Sequence, residues 1–281
     1  MKQVNRLTFP NGHQATTVQF RRGEGLDATL KKLDLACPCP TLVLVGGASG
    51  CTPETMERLR SLFTEILAPF AQAYPLLVID GGTDAGVMQL MGQARHTIEG
   101  TFPLLGIAAI GNIILPDLPP PIDGAHLEPH HTHFLLVPGA IWGDEAPWIA
   151  RVATALSVTQ PSLTILVNGG KIAWQDVENS VREQRSVLVV GGSGRTADVL
   201  AQAVWGDRSN DRANRLVDSG LLHAIDLFAE TQSLSTDLQR LLTPIQVTAN
   251  GRSPSTHGSK GVSKGISKGI SKGISKGISK G

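Results

Sequence analysis

The stretch VLVVGGSGRTADVLAQA (187–203) decides how the chain reads. Val187 to Val190 form an unbroken run of β-branched residues and leucine, the composition of a strand covered on both faces. Gly191, Gly192 and Gly194 follow. Glycines let a backbone turn sharply and approach a ligand with no Cβ in the way. Residues 196–203 then read as a helix. A helix that opens beside such a turn aims unsatisfied N–H groups and the positive end of its dipole at it, which predicts an anion site. Arg195 adds a fixed charge whose geometry suits phosphate.

The same sentence of strand, glycine pair and helix is written elsewhere. TLVLV (41–45) runs into GGASG, and Thr52 with Pro53 opens a helix as hydroxyl cap and first-position proline. Met56, Leu59, Leu62, Phe63 and Ile66 continue it at helical spacing. LLVID (76–80) runs into GGTDAG, with Thr83 or Asp84 as the cap of the next helix, and LTILVNGG (163–170) precedes a helix near 172–184. LLGIAAIGNIIL (104–115) reads as a strand ending in a glycine turn, Thr132–Val137 as a strand before a helix around 145–157, and LLHAIDLF (221–228) as a seventh strand. PDLPPPIDG (116–124) and WGDRSNDRAN (205–214) read as loops. Ahead of all these, Thr16 to Phe20 reads as a short strand and Leu26 to Leu35 as a helix.

This alternation predicts an α/β, Rossmann-like fold: a mostly parallel sheet of about seven strands with helices on both faces. The domain would span 41–230, with residues 1–40 as an extension packed on it and 231–250 as a helical segment. From Ser259 the chain repeats SKGV once and SKGI four times, so 251–281 reads as a disordered basic tail. Ligands of parallel sheets sit beyond the carboxyl ends of the strands, and all four glycine pairs lie at those ends.

Composition narrows the class. Hydrophobic residues make up 41% but aromatics only 4%, so the core must be aliphatic. The net charge of +1 hides a basic tail: the first 250 residues hold 18 basic and 24 acidic groups, which is no nucleic-acid footprint. No apolar run reaches the roughly 18 residues of a membrane helix, and no signal-peptide pattern opens the chain, so a cytoplasmic location is expected. Three cysteines make no disulfide framework, and Cys37 and Cys39 lack the second pair of a metal site.

Several chemistries drop out on spacing. Gly192, Gly194 and Ala197 fit the dinucleotide fingerprint, but the acid that should end the next strand about 20 residues on is missing. No Walker A pattern occurs, and neither Ser49 nor Ser193 has the flanking glycines of a nucleophile elbow. His126, His130, His131 and His133 crowd one loop and strand start, with His131 and His133 expected on the same face of the strand. They read as a polar wall of the crevice touching phosphate or ribose, and no metal site or cofactor is expected. Asp80 and Asp198 are positioned to hold ribose hydroxyls or act as a general base. Asp198 equally suits a first-turn charge favouring the helix dipole.

Taken in order, GGASG (46–50), GGTDAGVM (81–88), GIAAIGNI (106–113), HTHFLLVPG (131–139), VNGG (167–170) and VVGGSGRTADVLA (189–201) resemble the N-terminal cytosolic domain of melastatin-type TRP channels. They resemble more closely its free-standing prokaryotic versions, the LSDAT branch of the SLOG superfamily. The resemblance implies a Rossmann-like domain that senses ADP-ribose or a related nucleotide derivative. It implies ligand contacts at Gly47, Ser49, Gly81, Gly82, Thr83, Gly86, Gly111, Asn112, His131, His133, Gly192, Ser193, Gly194 and Arg195. Asp80 joins this set from its place at a strand end. A more distant SLOG branch, the LOG phosphoribohydrolases, carries PGGxGTxxE where this chain has Val190, Arg195 and Asp198 in place of the proline, threonine and glutamate. The expected function is therefore a non-catalytic binding domain, with a nucleoside-phosphate glycosidase using Asp198 as the alternative. A homo-oligomer acting through a separate effector chain completes the expectation.

Overall fold

The computed structural model describes residues 4–115, 119–229 and 231–242, with the backbone alone for 231–234. In chain order it contains β1 (Val4–Thr8), β2 (Gln14–Gln19), α1 (Leu26–Leu30), β3 (Thr41–Gly46), α2 (Pro53–Ser61), α3 (Ala68–Ala73), β4 (Leu77–Asp80), α4 (Gly86–Thr97) and β5 (Leu104–Ala109). Then follow β6 (His133–Val137), α5 (Ala146–Ser157), β7 (Ser162–Val167), α6 (Lys171–Arg182), β8 (Ser186–Gly191), α7 (Arg195–Val204), α8 (Asp211–Val217), β9 (Leu222–Asp226) and α9 (Thr231–Leu242). A π-helical stretch, Leu62–Leu67, joins α2 to α3 without a break.

Among the described residues the strands form one nine-stranded sheet in the order β1-β2-β6-β5-β4-β3-β7-β8-β9. Only the β1–β2 pair is antiparallel. The apolar runs are continuous because each central strand is covered twice. Val43, Val45, Ile79, Ile107 and Val137 pack with α5, α6 and α7 on one face, while Leu42, Leu44, Val78 and Ile165 pack with α2, α3 and α4 on the other. The short strand expected at Thr16 to Phe20 is β2, which extends the sheet by pairing with β6, while β1, which pairs with it as a hairpin, was not expected.

Local differences have local causes. The helix expected over Leu26–Leu35 is one turn of α1 followed by a 3-10 turn, Lys31–Leu33, and Asp34 then leaves it in the left-handed region. Part of the polar stretch 205–214 belongs to α8, because the Asn210 side chain accepts the Ala213 N–H and caps a helix there. Thr52 does cap α2, accepting from Thr55 N at 3.1 Å with Pro53 at the first position. Neither Thr83 nor Asp84 caps α4, whose N-cap is Ala85. The segment 116–118 and everything from 243 onward, including the basic repeat, lie outside the described residues.

The sheet's winding direction reverses between β3 and its neighbour β7, since β4 to β6 extend one way and β8 to β9 the other. A parallel sheet opens a crevice at such a switch point. At its floor Gly46 has φ of +117°, and a Cβ there would stand 1.9 Å from the Val167 carbonyl oxygen. Backbone meets backbone at this point, so nothing flexible can yield. Gly46→Ala is expected to cost about 3 kcal/mol or more. Urea denaturation would measure this, and a loss within 0.5 kcal/mol or so of the parent would refute the close approach.

Candidate functional site

The crevice holds a cavity of about 620 Å³ beyond the carboxyl ends of β3, β4 and β5. Its floor is Gly46, Gly47, Gly81 and Thr83, one wall is the start of α6 from Gly170 to Asp176, and Trp142 and Glu145 before α5, with Ile149 of α5, close the side. Arg195 reaches over from α7. A second cavity of about 590 Å³ shares Gly46 and Gly47 and continues past Ala48, Ser49 and Gly86 toward the start of α4. The volume falls within the range of cofactor-sized ligands, and the lining mixes apolar with charged groups as such sites do.

One clamp between two glycine loops sets the polarity of this crevice. Asn168, buried and left-handed at φ 53°, donates from Nδ2 to the Ser193 carbonyl at 2.7 Å and from its own amide to Ser193 Oγ at 2.8 Å. The carbonyls of Asn168 and Gly169 in turn accept the Ala197 and Thr196 amides, at 2.9 and 3.2 Å, and the Gly170 carbonyl accepts Thr196 Oγ1 at 3.0 Å. The start of α7 is therefore satisfied by the neighbouring loop. Asp198 completes this, its Oδ1 accepting from Gly192 N at 2.7 Å and Gly194 N at 2.9 Å.

This alters the anion site expected at 191–194. The two amides predicted to cradle phosphate already have Asp198 as acceptor, and Ser193 is buried with its hydroxyl bonded to Val190 O. The free helix start is that of α6 instead. Its N-cap is Gly170, no side chain caps it, and Gly170 to Ala173 face the cavity. Lys171 begins that helix, and the Arg195 guanidinium lies alongside, 2.9 Å from where a Cβ on Gly170 would stand. Arg195 has φ of +54°, a conformation that L side chains rarely adopt.

The same cavity holds two acids that the sequence pattern did not single out. Glu145, at the start of α5, accepts the Gly143 amide at 3.0 Å, and burial holds its carboxyl above the usual range. Asp176, on the second turn of α6, is 8% exposed and has no hydrogen-bonding partner among the described residues. Burial first, and the Glu145 charge second, push its carboxyl up to about 7.

The remaining expected residues divide clearly. Gly47, Gly81, Thr83 and Arg195 line the main cavity, and Ser49 and Gly86 line its continuation. Gly82 is buried against Gly106 and Phe134, Gly111 packs on the Gly139 carbonyl, and Asn112 is buried. Asp80 is fully buried: its Oδ1 accepts the Gly82 amide at 2.7 Å and lies 2.8 Å from His131 Nε2. His131 Nδ1 is 2.7 Å from Glu128 Oε2, and Glu128 Oε1 is 2.6 Å from His130 Nδ1. Burial alone would depress His131, but Asp80 and Glu128 outweigh it and hold the ring up to about 9. This chain supports the 81–82 turn from beneath.

The same-face expectation for His131 and His133 does not hold. His131 precedes β6 and stacks on Phe134 (ring centroids 5.2 Å apart) toward Asp80, whereas His133, the first residue of β6, meets the Leu33 backbone on the other face. The strand expected over Thr132–Val137 begins at His133, so His131 lies outside its alternation. Glu145, Asp176, Gly170 and Lys171 carried one legible trace, the lysine placed directly after the glycine pair of NGGK (168–171).

Residues 39–235 match the family described as SLOG in TRPM, prokaryote. The chain belongs to this family. It is 26% identical over 259 residues to the transient receptor potential cation channel subfamily M member-like 2 of Nematostella vectensis, a match covering 76% of this chain and 16% of that protein. It is 26% identical over 204 residues to subfamily M member 2 of Rattus norvegicus, covering 60% of this chain and 13% of the channel. The mouse protein matches to the same extent. The chain thus spans about a sixth or less of these relatives, and no helix among its described residues is long and apolar enough to cross a membrane.

Asp176 makes this SLOG domain's stability depend on pH in a defined sense. The folded chain keeps the Asp176 proton up to about 7, while an unfolded aspartate with its ordinary value near 3.8 releases it. Stability therefore declines as pH rises between those values and is level above. In Asp176→Asn this decline is removed: thermal denaturation should show the variant melting above the parent at pH 8, with the gap closing toward pH 4. An equal gap at both ends would contradict it.

Proposed function

We propose that this SLOG domain binds a nucleotide-derived ligand of the ADP-ribose type in the β3–β7 crevice and acts as a sensor. The observation that carries the reading is the uncapped start of α6 beside Lys171 and Arg195, two cations with no acidic partner among the described residues. An N-terminal helix turn with two cations suits a diphosphate. Beside it, Asp176, raised to about 7, suits a hydroxyl group because a neutral carboxyl both donates and accepts hydrogen bonds, and Glu145 can accept from another. Trp142, anchored by Nε1 to Asp123 at 2.9 Å, offers an aromatic face for a base at the mouth. Kinship with TRPM channel domains supports a sensory role over a metabolic one.

The glycosidase reading survives only in changed form. Asp198 is committed to its own loop amides and is absent from the cavity wall. A general acid for N-glycosidic cleavage would be Asp176, which holds a proton near neutrality and shares the cavity with a second carboxyl.

One experiment addresses both readings. ADP-ribose, AMP and NAD are titrated against the full chain by calorimetry, and the recovered ligand is then chromatographed. The sensor reading expects ADP-ribose to bind and return intact, with affinity falling by about tenfold or more in Arg195→Ala and in Lys171→Ala, as for loss of a charged hydrogen bond worth about 1.5–3 kcal/mol. Absence of binding by all three ligands would overturn it. Release of free base that vanishes in Asp176→Asn would establish the hydrolytic reading instead.

A further inference from the structure

A second cluster lies away from the crevice, at the opposite end of the sheet. His13 immediately precedes β2, His96 sits in the last turn of α4, and His130 lies in the loop that enters β6. Their ligand-capable nitrogens all lie within 4.8 Å of one another. The ring centroids are 5.1 Å apart for His13 and His130, 5.5 Å for His13 and His96, and 4.6 Å for His96 and His130. We propose that His13, His96 and His130 form a site for a divalent transition-metal ion of the zinc class, with one coordination position left open.

Chemistry beyond proximity favours this. Three imidazoles from separate elements make the nitrogen donor set that zinc, copper and nickel prefer, and three protein ligands leave room for a water or an exogenous ligand. Metal-bound histidines characteristically give their other nitrogen to a carboxylate that orients the ring. Glu128 supplies that carboxylate: it is buried, its Oε1 lies 2.6 Å from His130 Nδ1, and its Oε2 accepts the His130 amide at 2.9 Å. His130 Nε2 is left as the donor, with the Asn11 amide 3.5 Å away. Room for Glu128 beneath the site comes from Gly92 of α4, where a Cβ would stand 2.1 Å from the carboxyl carbon.

Arg95 also faces the cluster and opposes a cation, but its Nε is tied to the Phe102 carbonyl at 2.9 Å and Glu128 offsets its charge. At bond lengths near 2.0–2.1 Å the three nitrogens must come to about 3.3 Å apart. His96 is exposed and can rotate to close the gap without moving the core.

The test is calorimetric titration of the full, untagged chain with Zn²⁺ after chelator treatment, alongside His96→Ala, His13→Ala and the Cys37→Ser/Cys39→Ser double variant. We expect one equivalent bound by the parent and by the cysteine variant, with affinity lower by about tenfold or more in each histidine variant. Because His96 is on the surface, the metal-free melting temperature of His96→Ala should match the parent's, and Zn²⁺ should raise only the parent's. No binding by the parent, undiminished binding by His96→Ala, or loss of binding confined to the cysteine variant would each overturn the proposal.

Discussion

The clamp between Asn168 and Ser193 is the constraint on which the rest of the site depends. It ties the turn after β7 to the turn after β8 through two hydrogen bonds in a buried position. Because the carbonyls of 168–170 are thereby spent on the start of α7, it is α6 rather than α7 that presents an uncapped start to the main cavity. A backbone pair can be directed to only one place, and this geometry chooses which of two adjacent helices offers its amides to a ligand. Arg195 takes its left-handed conformation at the same junction, so the cation and the free helix start are held by one structural device.

The cavity carries charges of both signs. Arg195 from α7, with Lys171 and the first turn of α6, makes the cationic part, while Asp176, one turn further along α6, lies near Glu145 where α5 packs on α6. Two carboxyls in that position destabilise one another's ionised forms, so the acid end is held partly neutral rather than strongly negative. A ligand with an anionic middle and hydroxyl-rich ends matches both halves without leaving a buried charge unpaired. Beneath the floor, the Asp80–His131–Glu128–His130 chain links the 81–82 turn to the imidazole cluster by three contacts of 2.6–2.8 Å. This chain holds the turn through Asp80 Oδ1, while Asp80 Oδ2 is buried with no hydrogen-bond partner among the described residues.

What was legible in the chain follows from range. The strands of the parallel core and the helices after them are local signals, and TLVLV, LTILV and VLVV needed only their own composition to be read. The edge hairpin was harder: Val4–Thr8 is a mostly exposed strand with no apolar run, and its place depends on β2 pairing with β6 more than 100 residues later. At the site, glycine turns were visible, but which turn keeps its amides free depends on Asn168 finding Ser193. Likewise, the Glu145–Asp176 pairing is made by helix packing, and on sequence each is an ordinary helical acid. The four clustered histidines misled for the same reason, since His131 and His133 diverge to opposite faces and His130 finds His13 and His96.

The central claim is that the ligand lies between the starts of α5 and α6 with its base toward Trp142. Photolabelling the full chain with an ADP-ribose that carries an azide on the adenine, followed by peptide mapping, tests this most directly. The account predicts label within residues 142–149, suppressed by unmodified ADP-ribose. Label confined to the histidine end of the sheet, or none that competing ligand removes, would contradict it.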